Sequence, residues 1–304
     1  MAPDEPEDAW SMARCPSCGA TVTRSDERIS HTCHYCTSAL VDAARGSMVV
    51  DRVAPFRLSA HAAQQRLREH LAARWWAPQQ LRRSAREGRA DTRLVEGVLV
   101  PFFAYDATCR SRYETKVGLH WYETKRVVRD GNKTREVERH TEWFPLRGTA
   151  VAQLRDHLVS ASVGLTASET AALLPFDLGR ARDFDARLVA GWPAELPSRD
   201  RVQTDADALQ QIRTHEIQRV RREQLPGDTH RRTRVSCQVE LAEAELVLLP
   251  VWVAALRHGG KVYRMVVNGQ TGRCHGKAPV SAAKITTAVL LTIVLAAVLA
   301  WRLA

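Results

Sequence analysis

The rhythm of apolar and polar positions changes several times along the chain, and each change marks an element. After Val53-Ala-Pro-Phe56, residues Ala62, Ala63, Leu67, His70, Leu71 and Trp75 recur at helical spacing, with Ser59 in N-cap position and Pro78 as a stop. A helix over about 59–76 follows, with Trp75 and Trp76 expected against the body. From about 94 to 151 the period drops to two. Val98–Tyr105 reads as a strand with Pro101 at an edge or bulge, and Val117, Leu119 and Trp121 alternate. Asp130-Gly131 signals a hairpin turn, and Thr134–Trp143 returns with Arg135, Glu136, Glu138 and Arg139 facing out. Residues 150–174 are mixed and helical in period. A second amphipathic helix is predicted over about 204–224, capped by Thr204, with Ala208, Leu209, Ile212, Ile217 and Val220 inward. A second meander follows over about 232–276. Its strands alternate through Thr233, Val235, Cys237 and Val239, then run through Leu249-Pro-Val-Trp252, with turns at Gly259-Gly260 and Asn268-Gly269.

The last pattern is apolar all round. Ile285–Trp301 has no charge, Pro or Gly, and lies between Lys284 and Arg302. Such a run predicts a transmembrane helix over 285–301, with Lys284 and Arg302 as membrane-flanking residues. The basic residues before it and the absence of Asp or Glu after Glu245 place the N-terminal body on the cytoplasmic side of a single-pass, C-terminally anchored protein. The expected architecture is multi-domain. A disordered acidic leader spans 1–12 and a small β zinc ribbon 13–41. An α+β body with antiparallel β-meanders and amphipathic helices spans 50–280, followed by the single C-terminal transmembrane helix.

Charge narrows the partners. With 44 Lys and Arg against 34 Asp and Glu, the net charge is +10. That favours an anionic lipid surface or a nucleic acid among partners. Arg82, Arg83, Arg86 and Arg89 form a basic run expected on a solvated face.

The clearest chemistry lies in Cys15-Pro-Ser-Cys18 and Cys33-His-Tyr-Cys36. Two CxxC knuckles, with short strand-like runs between them, can bring Cys15, Cys18, Cys33 and Cys36 onto one tetrahedral ion. Four thiolates close the coordination sphere, so the expectation is one structural Zn2+ per chain with no open position for catalysis. His31 and His34 lie nearby and are expected on the ribbon surface. The ribbon's charges are Arg14, Arg24 and Arg28 against Asp26 and Glu27, with Tyr35 as an aromatic. That is thin provision for tracking phosphates, so protein contact ranks above nucleic acid for the ribbon itself.

Catalytic patterns are missing. His215-Glu216 begins like HExxH, but Arg219 stands where the second His is needed. Gly272-Arg-Cys-His-Gly276-Lys277-Ala278 lacks the length and hydroxyl of a phosphate loop. Cys109, Cys237 and Cys274 read as packing residues. No enzyme is expected.

Taken in order, several motifs carry a family resemblance. They are the CPxCG and CxYC ribbon, Pro55-Phe56 before a helix ending Arg-Trp-Trp-Ala-Pro78, Val-Pro-Phe-Phe103, Glu-Trp143, Leu-Pro-Val-Trp252 and Val-Asn-Gly-Gln-Thr-Gly272. The chain resembles bacterial TFIIB-type zinc-ribbon membrane proteins, often labelled primosomal or helicase-like. The resemblance implies a non-enzymatic adaptor that places cytoplasmic partners at the inner membrane face, among phage-shock-type and SPFH-type membrane-stress proteins. It carries over the four cysteines alone as site residues. The second expectation is a membrane-tethered nucleic-acid-binding regulator acting through ribbon and basic surface.

Overall fold

The computed structural model describes residues 10–14, 21–25, 30–32, 39–41, 50–89, 94–129 and 132–303. In chain order, the N-terminal strands are β1 (Trp10–Arg14), β2 (Thr21–Ser25), β3 (Ser30–Thr32) and β4 (Ala39–Val41). Next come β5 (Arg52–Val53), α1 (Ala60–Ala73), α2 (Gln79–Arg86), β6 (Leu94–Arg129) and β7 (Asn132–Ser160). They are followed by α3 (Ala167–Leu173), β8 (Arg182–Asp183), α4 (Ala186–Val189) and α5 (Arg201–Glu223). The chain closes with β9 (Thr229–Leu241), β10 (Glu245–His258), β11 (Lys261–Asn268), β12 (Cys274–Gly276) and α6 (Ala282–Leu303).

Antiparallel pairing joins β1 to β2, down to Arg14↔Thr21, and β3 to β4, down to Thr32↔Ala39. Cys15 and Cys18 fall in sequence between the first pair, Cys33 and Cys36 between the second. All four cysteines, and most of the leader, lie outside the described residues. β1 itself begins at Trp10, inside the stretch assigned to the leader.

Two compact units divide the rest. The first gathers residues up to Phe102, Ser160–Arg199 and everything from Leu246 onward; the second holds Phe103–Val159 and Asp200–Glu245. In the first unit the strands run β12-β11-β10-β5-β8. Ala63, Leu67 and Leu71 of α1 and Leu81 and Ala85 of α2 pack with Trp252, Ala254, Leu256, Met265 and Val267 of the sheet. Ser59 caps α1 by accepting from the Ala62 amide at 3.2 Å. The basic run 82–89 contains most of α2. Leu81 and Ala85 sit four apart and are both buried, Arg83 and Arg86 are exposed, and Arg82 is half-buried, its guanidinium donating to the Ala72 carbonyl at 3.1 Å. Trp75 and Trp76 are not packed away: they stack on each other with centroids 4.6 Å apart and are 58% and 43% exposed.

In the second unit β6 pairs with both β7 and β9, and α5 packs on β9. The strand pair β6–β7 runs unbroken well past the predicted meander, so 150–160 is strand and the helix α3 starts only at Ala167. The N-cap of α5 is Asp200, accepting from the Gln203 amide at 2.7 Å, and not Thr204. Thr204 is instead buried within the first turn, its hydroxyl bonded to the Asp200 and Arg201 carbonyls. Leu209 and Ile217 are half-buried, while the inward stripe runs Thr204, Ala208, Ile212, Glu216, Val220.

That stripe brings polar groups inside. Glu216 is fully buried and accepts two hydrogen bonds from the Arg219 guanidinium, both at 2.7 Å, and one from the Ser111 hydroxyl at 3.3 Å. Tyr105, also buried, donates its hydroxyl to Asp205 at 2.7 Å and Thr204 at 3.0 Å. Burial pushes the Tyr105 phenol up to about 12 and, with the neighbouring Cys237 thiol, the Cys109 thiol up to about 12. Both groups hold their protons more tightly folded than unfolded. Their stabilising contribution is therefore complete below the ordinary values of 9.0 for Cys and 10.0 for Tyr, and is lost as pH rises through them towards 12. The thermal midpoint is expected to fall above pH 9, and Cys109→Ala should make the fall between about pH 9 and 10 shallower. A flat midpoint over that range contradicts the assignment.

The end of the chain corrects the expected topology. Among the described residues no helix is long and apolar enough to cross a membrane. The single C-terminal transmembrane helix, the inner-membrane localisation and the flanking role of Lys284 and Arg302 are overturned. The apolar run is 17 residues and contains Thr286, Thr287 and Thr292. Nor is Lys284 held free for headgroups. Its ammonium donates to the Ala77 carbonyl at 3.2 Å and to the Trp75 carbonyl, and lies 5.2 Å from the Trp75 ring centre.

Candidate functional site

The residues singled out from sequence do not converge on a reactive centre. Glu216 is consumed by Arg219, which explains physically why an HExxH-like start leads to no metal site: the would-be second ligand is the carboxylate's counter-ion. The His230 ring lies 2.9 Å from the Pro226 carbonyl. Cys109, Cys237 and Cys274 are free thiols, and burial raises Cys274 to about 11. Arg302 is exposed on α6.

A group missed in the sequence is Glu123, Glu138 and His140, near the far end of the β6–β7 pair, whose ligand atoms lie within 4.8 Å of one another. Alternation put Glu138 outward but gave no hint that it faces Glu123. The Lys125 ammonium already sits among these carboxylates, bonded to Glu138 at 2.5 Å and 3.4 Å from Glu123. Its hydrogen bond to Lys125 is the largest cause holding the Glu138 carboxyl below its ordinary value. A metal ion would have to displace that internal cation, so the cluster reads as an exposed ion-pair network.

Another candidate surface is the face of β7–β6–β9 turned away from α5. Alternation along β6 buries Ala107, Cys109, Ser111, Thr115 and Val117 and exposes Arg110, Arg112, Glu114 and Lys116. The β6–β9 register sets Arg112 opposite Ser236, Glu114 opposite Arg234 and Lys116 opposite Arg231. Between Glu114 and Lys116 the register shifts, and Arg232 takes the left-handed conformation at φ 55° that lets the extra residue bulge outward. Two depressions of about 610 and 640 Å³ meet on this face, sharing Glu114 and Arg147. Arg112 and Arg234 line one, Lys116 and Arg232 the other.

Few of these charges are neutralised. Glu114 pairs with Arg147 at 3.2 Å, and Glu240 pairs with Arg110. Among the described residues Arg112, Lys116, Arg232 and Arg234 have no acidic partner. Aromatic groups accompany them. The Arg231 guanidinium lies 4.1 Å over the Trp143 ring. Gly118 leaves the space this needs, since a Cβ there would come within 2.6 Å of Thr229 and 3.1 Å of Trp143. Farther along the same strand pair, Trp121 stacks on His140 at 4.4 Å, and Tyr122 is 63% exposed.

No family model matches the chain, and neither a curated protein nor a solved structure does. The TFIIB-type resemblance therefore rests on its motifs alone.

Proposed function

We propose that the protein binds single-stranded nucleic acid through the basic face of β7–β6–β9. The observation that carries this reading is the set of unpaired cations Arg112, Lys116, Arg232 and Arg234 around adjoining depressions, with aromatic side chains on the same strands. Single strands fit better than duplex because exposed rings on these strands can stack on unpaired bases, which a duplex keeps stacked on one another. The cations would track the phosphates and supply most of the affinity. The paired CxxC segments would form a separate zinc-held module whose ion stabilises its fold and leaves the reaction chemistry of the chain untouched.

Gel-shift titration of a mixed-sequence single-stranded oligonucleotide with the full chain tests this. Retardation at about 50 mM salt that weakens at 200 mM is expected, with weaker retardation of the matching duplex. No retardation at low salt would sink the reading. The zinc module is tested separately: purified protein should carry one zinc per chain, and Cys15→Ser with Cys18→Ser should remove it. Metal-free wild type would defeat that part.

An adaptor without a membrane anchor is the second reading. Val289, Leu290, Leu291, Ile293 and Val294 of α6 are exposed, and a protein partner would remove them from water. Crosslinking that recovers a stoichiometric protein partner through α6 would favour it.

A further inference from the structure

The first unit contains a pocket of about 260 Å³ that plays no part in the basic face. Its walls are apolar: Val53, Phe56, Leu99, Leu188 and Trp192 line it, and Arg182 is the charged residue among its lining. Phe56 and Trp192 stack with centroids 4.2 Å apart, and the Trp252 ring meets both, at 4.8 Å and 5.7 Å.

The chain makes specific room for this arrangement. A Cβ on Gly97 would lie 2.6 Å from the Trp192 ring and 3.0 Å from Phe56, so any larger residue would push the stack apart. The backbone behind each ring is tied down. Trp192 precedes a segment bound to β6, where the Leu99 amide donates to Pro193 at 2.8 Å and the Glu195 amide to Leu99 at 2.9 Å. Phe56 is followed by Arg57 and Leu58, whose amides both donate to the Gly269 carbonyl at 2.9 Å. The rings are thus held before any ligand arrives, which lowers the ordering cost of binding.

Arg182 decides the ligand class. It lies on β8 opposite Val53, is exposed, and has no acidic partner among the described residues. A guanidinium beside an aromatic wall matches a planar apolar body bearing one carboxylate, with two parallel N–H···O bonds to the acid and ring contact for the body. We infer that this pocket binds a small aromatic monocarboxylate, its ring against Phe56 and Trp192 and its carboxylate on Arg182. The volume admits a one- or two-ring acid.

The probe is 2-naphthoate, titrated calorimetrically into the full chain, with 2-naphthalenemethanol as its uncharged counterpart. Wild type should bind the acid at one site per chain and the alcohol more weakly. Arg182→Gln, a change on an exposed side chain, should weaken the acid about tenfold or more and leave the alcohol unchanged. Leu188→Trp, verified as folded by its melting curve, should fill the pocket and weaken both. Absence of binding to wild type at millimolar probe overturns the proposal. So does an acid affinity that Arg182→Gln leaves intact, or binding of both probes that persists in folded Leu188→Trp.

Discussion

Reversing two charges on the basic face, Arg112→Glu with Arg234→Glu, is expected to weaken single-strand binding on the order of 100-fold at low salt. These arginines line one depression and have no acidic partner among the described residues, so their positive charge is available to a phosphate. Both are exposed, and neither has a pairing to lose, so the fold should melt within about 1 °C of wild type. Each reversal removes one attraction and installs one repulsion. The double change should also flatten the salt dependence by about two contacts. Arg110→Glu is the internal comparison. Arg110 already pairs with Glu240, so a smaller loss is expected there. Equal losses at both places would mean that the pairing with Glu240 does not keep Arg110 from the phosphates.

Glu216→Ala is expected to cost about 2–4 kcal/mol and lower the melting temperature by about 5–10 °C. The carboxylate is fully buried with a bidentate guanidinium and a hydroxyl on it, so its removal leaves Arg219 and Ser111 without their partner. The figure sits towards the low end for broken buried pairs because the Arg219 side chain keeps 20% of its surface in water and can still turn to Glu223 at 3.2 Å. Replacing both members, Glu216→Leu with Arg219→Met, should recover most of the loss, since apolar side chains of similar volume need no partner. Glu223→Ala, at an exposed pair, should cost under about 1 kcal/mol. A Glu216→Ala protein as stable as wild type would contradict the buried pairing. Chemical denaturation of the four proteins measures all of this, and the second unit's own transition is the one to follow.

The contrast between these two sites shows what was legible in the chain. Period-two alternation through Val117, Leu119 and Trp121, and the Asp130-Gly131 pair, point to strands on either side of a turn, and β6 ends at Arg129 with β7 starting at Asn132. Those signals are local. The basic face is not, because Arg112 comes beside Ser236 only when β6 pairs with β9, more than a hundred residues later. The arginines of β9 read as a wet strand face, and nothing in their spacing tells that another basic face will lie beside them. Glu216 was visible as half of a metal motif, while its actual role depends on a buried position that composition alone would assign to a leucine. Thr204 is ambiguous in sequence for a related reason: its hydroxyl can serve a cap or a buried turn, and Asp200, four residues earlier, takes the cap.

The apolar tail illustrates the opposite error. Hydropathy along Ile285–Trp301 is uniform, and uniformity reads as a bilayer signal. What a hydropathy window misses is Lys284, whose ammonium turns back to the carbonyls of Trp75 and Ala77 between α1 and α2. That contact joins residues some two hundred positions apart and leaves no trace in a window of sequence. The pocket holding Phe56 and Trp192 is similarly hidden. Gly97 bears on it, and its role appears only once two rings occupy the space its missing side chain leaves.

The central claim is that phosphates are bound by the unpaired cations of β7–β6–β9. Fluorescence anisotropy of a labelled single-stranded oligonucleotide, titrated with the full chain across a series of salt concentrations, tests it most directly. Four phosphate contacts predict a slope of log Kobs against log salt near −3, falling to near −1.5 in the Arg112→Glu, Arg234→Glu protein. A slope near zero in wild type, or one that the double substitution leaves unchanged, would contradict the account.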